Sequence, residues 1–155
     1  MKGNAKVIAK LNARLAEELA ATNQYILHSE MCANWGYGKL HELVEKRAVD
    51  EMKHVEMLIA RILFLEGKPT VSKLAEIHIG DKVDGQLKSD LAAEHGAVKA
   101  YNDDIRSADE VGDAGTRDLL EKILHDEEDH VDWLEAQLDQ IAQMGIQQYL
   151  AEQRG

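Results

Sequence analysis

Cysteine, proline and aromatic residues are scarce in this chain of 155 residues, which has one Cys, one Pro, one Phe, two Trp and four Tyr. A single cysteine excludes an internal disulfide framework and suits a reducing compartment. The first residues contain no apolar signal core, and no apolar run approaches membrane-spanning length. We therefore expect a soluble cytoplasmic protein with no membrane partner.

Positive charge is also in short supply, with 18 Lys and Arg against 29 Asp and Glu and a net charge of −11. This balance argues against nucleic acid as a partner, because phosphates require a basic surface, and it favours cations. Ala, Leu, Glu and Lys are abundant and runs of β-branched residues are absent. The composition therefore predicts an all-α fold, and the length predicts one domain over residues 1–155.

Apolar residues at spacings of three and four predict four long helices. The predicted ranges are about 5–34, 40–65, 83–111 and 116–144, followed by a short fifth helix at about 146–152. Glycine turns at 35–38 and 112–115 predict two antiparallel hairpins. The connection 67–81 can extend roughly 50 Å, whereas a 26-residue helix is about 39 Å long. The sequence thus predicts a four-helix bundle with a long crossover between parallel second and third helices.

Two Glu-x-x-His motifs stand out, Glu51-x-x-His54 and Glu127-x-x-His130. Residues three apart on a helix lie on one face, so each carboxylate and imidazole could bind the same metal ion. Glu18 and Glu94 occupy core positions in the first and third helices. All four glutamates fall near the middle of their helices, which predicts one shared polar layer.

The two halves of the chain repeat at an offset of 76 residues. The offset relates four residues of the first half, Glu18, Tyr25, Glu51 and His54, to Glu94, Tyr101, Glu127 and His130. It also relates Asp50 to Asp126. Such matches among inward polar residues predict two helical hairpins related by an approximate two-fold axis. Arg47, which has no such counterpart, is also predicted to face inward.

Four buried ionised carboxylates are too costly to leave unpaired, and two divalent cations would neutralise them. Carboxylate oxygens with one imidazole per ion and no thiolate favour iron or manganese over structural zinc. Ferritin-like di-iron and di-manganese proteins use this donor arrangement, with one Glu from each of two helices and Glu-x-x-His from the other two.

At these residues the chain resembles the bacterioferritins, and the resemblance covers essentially its whole length. Besides the six donors, it rests on Asp50-Glu-Met-Lys-His54, Ile62-Leu-Phe-Leu-Glu-Gly67, the stretch 127–135 and the tail Met144-Gly-Ile-Gln-Gln-Tyr-Leu150. It implies a ferroxidase that oxidises Fe(II) with dioxygen or peroxide at a di-iron centre. It also implies a cage of 24 subunits, built from two-fold dimers, that stores the ferric mineral.

The resemblance further implies one b-type haem per two subunits, with Met52 of each as an axial ligand. Such a haem would aid iron release when a ferredoxin-type reductase docks. Met52 lies about 100° around the helix from Glu51 and so should point away from the metal layer. A methionine on a helix is otherwise most often a packing residue.

Tyr25 lies two turns from Glu18, where it could bond a ligand carboxylate, supply an electron or simply fill the core. Trp133, one turn after His130, has the same alternatives. Cys32 is expected to be a buried small side chain, and five histidines to be surface or structural residues: His28, His41, His78, His95 and His125. Lys46 stands where bacterioferritins can carry a histidine of an inner-surface iron site, so such a site is not expected.

Two other functions fit the same residues. One is a di-iron peroxidase of the rubrerythrin or manganese-catalase type, although a single cysteine cannot build the Cys-rich domain usual in rubrerythrins. The other is a haem electron carrier with a structural metal site, which would show no rapid Fe(II) oxidation. In the ferroxidase interpretation, Glu51 and Glu127 are the bridging ligands, because they face each other from the two Glu-x-x-His helices.

Overall fold

A computed structural model describes residues 1–155 as five α-helices without strands. The helices are α1 (Ala5–Asn34), α2 (Gly38–Phe64), α3 (Val83–Glu110), α4 (Ala114–Met144) and α5 (Ile146–Ala151). The predicted all-α architecture, a four-helix bundle with a short C-terminal helix, is confirmed. None of the five helices is both long enough and apolar enough to cross a membrane.

The helices pair as two hairpins, α1 with α2 and α3 with α4, and the hairpins meet mainly through α1 and α3. The crossover, residues 65–82, runs along α1 from its N-terminal end towards its C-terminal end. Its hydrogen bonds follow this path, pairing Leu65 with Gly3, Ala75 with Ala16 and Gly80 with His28. Because α2 begins beside the C-terminal end of α1, and α3 begins where the crossover finishes, α2 and α3 run parallel as predicted.

The hydrophobic core is divided into two clusters with a polar layer between them. One cluster contains Val7, Leu11, Leu15, Val55, Leu58, Ile62, Leu65, Tyr101, Leu120 and Ile123. The other contains Tyr25, Cys32, Leu40, Val44, Ala48, Val83, Leu87, Leu134 and Tyr149. Each helix is therefore anchored by apolar residues on both sides of its mid-point, which fixes the side chains of the layer between them.

The inward position predicted for Arg47 is met only in part. Val44, Ala48 and Glu51 are the buried residues of that part of α2, and Arg47 is only partly buried. Its guanidinium carbon lies 5.4 Å from the centre of the Trp133 ring. The Arg47 side chain is 22% exposed and its Nε atom is buried. A long side chain can cover apolar surface in this way while the rest of its charged end stays nearer to water.

Asp113 determines where α4 begins. Its side chain accepts hydrogen bonds from the backbone N–H (3.0 Å) and the hydroxyl (2.6 Å) of Thr116, and from Arg61 Nη2 (2.9 Å). The cap draws Ala114 and Gly115 into the first helical turn, so α4 starts two residues before the predicted Thr116. Arg61 also ties the end of α2 to this start.

Asp113→Ala should lower the stability of the fold, because it removes the cap and leaves Arg61 without its carboxylate partner. We expect a loss of about 1 to 2 kcal/mol, which corresponds to a fall in melting temperature of about 2 to 8 °C. Thermal unfolding followed by circular dichroism measures it. Asp118→Ala is the control, because Asp118 is exposed and its one ion pair is with the partly exposed Arg117. An equal loss there would contradict the capping role.

The loss of stability in Asp113→Ala should depend on pH. Burial alone would raise the pKa of Asp113, but the hydrogen bonds from Thr116 and the guanidinium of Arg61 outweigh it and hold the pKa below 3.8, the ordinary value. A carboxylate with a lowered pKa in the folded state stabilises above the unfolded-state pKa and loses that contribution as the pH falls. The difference in the free energy of unfolding between wild type and Asp113→Ala should therefore shrink below about pH 3.8.

Candidate metal centre

Six buried polar side chains meet in the layer between the two apolar clusters. Glu18 comes from α1, Glu94 from α3, and the Glu-x-x-His motifs from α2 and α4. All six residues are at most 2% exposed: Glu18, Glu51, His54, Glu94, Glu127 and His130. The structure thus brings together every residue that the sequence assigned to the metal layer.

The six residues form two groups that share two members. Glu18, Glu51, His54 and Glu127 make one group, and Glu51, Glu94, Glu127 and His130 make the other. Within each group one donor atom from every residue lies within 4.8 Å of the others. Two neighbouring positions for cations are therefore available, and Glu51 and Glu127 border both.

Each histidine presents its Nδ1 atom to these carboxylates. His54 Nδ1 lies 2.9 Å from Glu127 Oε1, and His130 Nδ1 lies 3.0 Å from Glu51 Oε1. Both carboxylate oxygens are buried and have no assigned hydrogen-bond partner. Each histidine therefore approaches the bordering glutamate of the other Glu-x-x-His helix.

Two aspartates outside the layer orient the histidines. His54 Nε2 lies 2.8 Å from Asp126 Oδ2, and His130 Nε2 lies 3.2 Å from Asp50 Oδ2. Because a carboxylate accepts hydrogen bonds, Nε2 of each ring carries a proton, which leaves Nδ1 as the atom of each ring that would bind a metal ion. This second contact is usual for metal-binding histidines. The 76-residue repeat related Asp50 to Asp126, but spacing could not reveal that each reaches the histidine of the other helix.

Two tyrosines fix the outer glutamates. The Tyr25 hydroxyl donates to Glu94 Oε1, and the Tyr101 hydroxyl donates to Glu18 Oε1 at 2.6 Å. Tyr25 thus bonds a carboxylate as the sequence suggested, but across the bundle and not on its own helix. Burial and the nearby carboxylates raise the pKa of both tyrosines, so they remain donors. Tyr101, which the sequence identified only as the repeat of Tyr25, makes the equivalent hydrogen bond to the other outer glutamate.

The layer contains more carboxylate oxygens than its hydrogen-bond donors can pair with. Burial, reinforced by the neighbouring carboxylates, raises the pKa of Glu51 and of Glu127. Burial would lower the pKa of His54, but Glu127 and Glu18 outweigh it and raise that pKa to about 11. Five buried atoms of the layer have no hydrogen-bond partner: Glu18 Oε2, Glu51 Oε1, His54 Nδ1, Glu94 Oε2 and Glu127 Oε1. A cation would meet these unpaired donors, so the donor set fits two divalent ions.

A cavity of about 690 Å³ leads to the layer from the α1–α3 face. It reaches all four glutamates and is flanked by residues 75–78 of the crossover. The α3 wall is built from small residues, Ala92, Ala93, Gly96 and Ala97. An ion therefore has a route from the surface to the buried carboxylates.

The remaining candidates lie away from the layer. Met52 is 46% exposed on α2, whereas Glu51 beside it is buried, as the helical phase predicted. Cys32 is buried as expected. His28 is a structural residue, because its Nδ1 lies 2.9 Å from Asp90 and its Nε2 accepts from the Gly80 N–H. Trp133 packs at the margin of the second core cluster.

Divalent metal should stabilise the metal-free protein if this layer binds ions. A cation that binds only the folded state at a hundredfold excess over its Kd contributes about 2.7 kcal/mol, or about 5 to 10 °C in melting temperature for a chain of this size. Thermal unfolding across an anaerobic Fe(II) titration measures this. An unchanged melting temperature would contradict a buried metal site.

Comparisons with known proteins agree with this architecture. The family model "Ferritin-like domain" matches residues 8–144. A protein named "Bacterioferritin" from Brucella melitensis is 40% identical over 149 residues, covering 96% of this chain and 92% of that protein. The "Bacterioferritin" of Rhodobacter capsulatus is 42% identical over 147 residues, with coverage of 95% and 91%. The "Bacterial ferritin" of Synechocystis sp. is 42% identical over 154 residues and 99% of both chains.

Proposed function

Because the chain belongs to the bacterioferritins of the ferritin-like family, we propose that it stores iron and oxidises Fe(II) to Fe(III) in its buried polar layer. The observation that carries this proposal is the pair of overlapping donor groups, whose unpaired oxygen and nitrogen atoms are buried. Two ions with a total charge of +4 would balance the four glutamates. No thiolate takes part, which suits iron.

Each donor has a distinct role in this proposal. Glu51 and Glu127 border both positions and would bridge the two Fe(II) ions. Glu18 and His54 would complete one ion's ligands, and Glu94 and His130 the other's. Tyr25 and Tyr101 hold one oxygen of each outer glutamate and so leave the second oxygen free for a metal. Asp50 and Asp126 keep the histidine lone pairs directed at the ions.

The oxidation requires an acceptor for two electrons, one from each Fe(II). Dioxygen would be reduced to hydrogen peroxide with the uptake of two protons, or hydrogen peroxide to two molecules of water. The cavity on the α1–α3 face supplies a path for Fe(II) and for these small oxidants. The chain's net charge of −11 favours the approach of cations.

We also propose that 24 copies form a cage from two-fold dimers, and that paired copies hold a b-type haem through Met52 of each. The Met52 side chain is exposed, and Val49, one turn before it on α2, is 40% exposed. Met52 could supply a neutral sulfur ligand to the haem iron, and Val49 could contact the apolar haem ring. At the 76-residue offset α4 carries Glu128 and no methionine. Of the two Glu-x-x-His helices, only α2 therefore has a methionine directly after the motif's glutamate. When bound, the haem supplies electron transfer, which would serve iron release.

Iron storage is tested by loading the protein aerobically with increasing Fe(II) and separating it by gel filtration. We expect iron to elute with a particle far larger than the 17.3 kDa chain. The iron retained should exceed the two ions per subunit that the layer could hold. Retention of two ions or fewer per subunit would contradict storage, and elution as a single chain would contradict the cage.

A further inference from the structure

A second group of metal-binding side chains lies near the turn between α1 and α2. It comprises Glu30 of α1 together with His41 and Glu45 of α2. One donor atom from each lies within 4.8 Å of the other two. His41 precedes Glu51 by ten residues, which places the group about 15 Å along α2 from the polar layer. It is therefore separate from the centre described above.

His41 is held in one orientation and one tautomer. Its Nδ1 atom lies 2.9 Å from the backbone carbonyl oxygen of Ser29. A carbonyl oxygen only accepts, so Nδ1 carries a proton, and in the neutral ring Nε2 has a free lone pair. Metal-binding histidines commonly donate their other ring N–H to a backbone carbonyl in this way.

The free Nε2 atom faces carboxylates and has no hydrogen-bond donor. Glu45 Oε2 lies 3.6 Å from it, one turn further along α2, and Glu30 approaches from α1. Carboxylate oxygens and an imidazole lone pair are all acceptors. When the His41 ring is neutral, a cation between the three groups would therefore attract all of them, in competition with a proton on Nε2.

We propose that Glu30, His41 and Glu45 bind one divalent cation of the first transition series, such as Fe(II) or Zn(II). Two carboxylates balance the charge of +2, and the imidazole favours these metals over Mg²⁺ and Ca²⁺, which prefer oxygen ligands alone. The His41 side chain is 23% exposed and that of Glu45 is 56% exposed, so an ion can enter from solvent. Water would occupy the remaining coordination positions.

The chain offers a matched control in His78. This histidine lies 3.7 Å from Glu76, and both side chains are largely exposed. The pair contains only one carboxylate, and no hydrogen bond fixes the His78 ring. If any exposed His–Glu pair could bind the cation, replacement of His78 should have the same effect as replacement of His41.

Zn(II) titration of the metal-free assembled protein by calorimetry tests the proposal. We expect His41→Gln to bind one Zn(II) fewer per subunit than wild type, and His78→Gln to match wild type. Diffraction at the zinc absorption edge should show a peak among Glu30, His41 and Glu45 that is lost in His41→Gln. Equal stoichiometry in wild type and His41→Gln, or an equal loss in His78→Gln, would overturn the proposal.

The rate of Fe(II) oxidation separates this inference from the proposed function. His41→Gln leaves all six residues of the polar layer intact and should keep the rapid oxidation of wild type. Loss of one Zn(II) together with an unchanged oxidation rate is the expected result. Loss of rapid oxidation in His41→Gln would contradict an independent site.

Discussion

Replacement of Glu127 by alanine should abolish the rapid oxidation of Fe(II) and leave the fold intact. Glu127 borders both cation positions, so its loss removes a ligand from each ion. Loss of a partner that only orients a ligand costs about 10- to 100-fold in metal affinity or activity. Loss of a shared ligand should therefore slow oxidation by more than about a hundredfold. Stopped-flow absorbance after mixing Fe(II)-loaded protein with oxygen measures the rate.

Glu128→Ala is the matched control, because Glu128 is the exposed neighbour of Glu127 on the same helix. It should oxidise Fe(II) as fast as wild type. The metal-free Glu127→Ala protein should be no less stable than wild type, since burial and repulsion from Glu18 and Glu51 disfavour the Glu127 carboxylate. Glu18→Ala and Glu94→Ala should also lose rapid oxidation. A variant of Glu18, Glu94 or Glu127 that keeps the wild-type rate would remove that residue from the centre.

Met52→Ala should abolish haem binding without affecting Fe(II) oxidation. The Met52 thioether is exposed on α2, whereas the buried Glu51 beside it belongs to the polar layer. In a two-fold dimer the same substitution removes both sulfur ligands at once. The haem absorbance of protein purified from haem-replete cells, measured against protein concentration, should therefore fall to background.

Met144→Ala controls for the general loss of an exposed methionine. Met144 is 42% exposed, close to the 46% of Met52, and lies at the end of α4. It should keep the haem content of wild type. Met52→His should retain a haem with an altered spectrum and a lower potential, because imidazole replaces a softer thioether ligand. Full haem content with an unaltered spectrum in Met52→Ala would show that Met52 is a packing residue.

Much of the fold could be predicted because apolar residues recur at helical spacing along each helix. The polar layer could be predicted because Glu and His residues interrupt these apolar stripes at core positions. Glu18 and Glu94 occupy core positions, and each Glu-x-x-His motif places two donors on one face. The 76-residue repeat then predicted that the four helices contribute to a single layer. The long crossover followed from chain length alone, since residues 67–81 can extend along a whole helix.

Contacts between helices could not be predicted from these patterns. Spacing along α1 places Tyr25 on the same face as Glu18, yet the packing of α1 against α3 directs its hydroxyl to Glu94. Asp50 and Asp126 likewise reach histidines on opposite helices. The distance between two side chains on different helices depends on crossing geometry and on side-chain length, which a single sequence does not specify.

The group at Glu30, His41 and Glu45 was missed for the same reason. His41 and Glu45 have the i, i+4 spacing of a helical pair, but Glu30 joins them only through the packing of α1 on α2. The hydrogen bond from His41 to the Ser29 carbonyl is also invisible in the sequence. Only the i, i+4 pair offered a signal, and such pairs are common on exposed helix faces.

The central claim is that the six buried side chains hold two iron ions. Crystals grown from metal-free protein, soaked anaerobically with Fe(II) and measured at the iron absorption edge, test it most directly. We predict two anomalous peaks between Glu51 and Glu127, one beside Glu18 and His54 and the other beside Glu94 and His130. A single peak, or no iron among these six residues while iron binds elsewhere on the chain, would contradict the account.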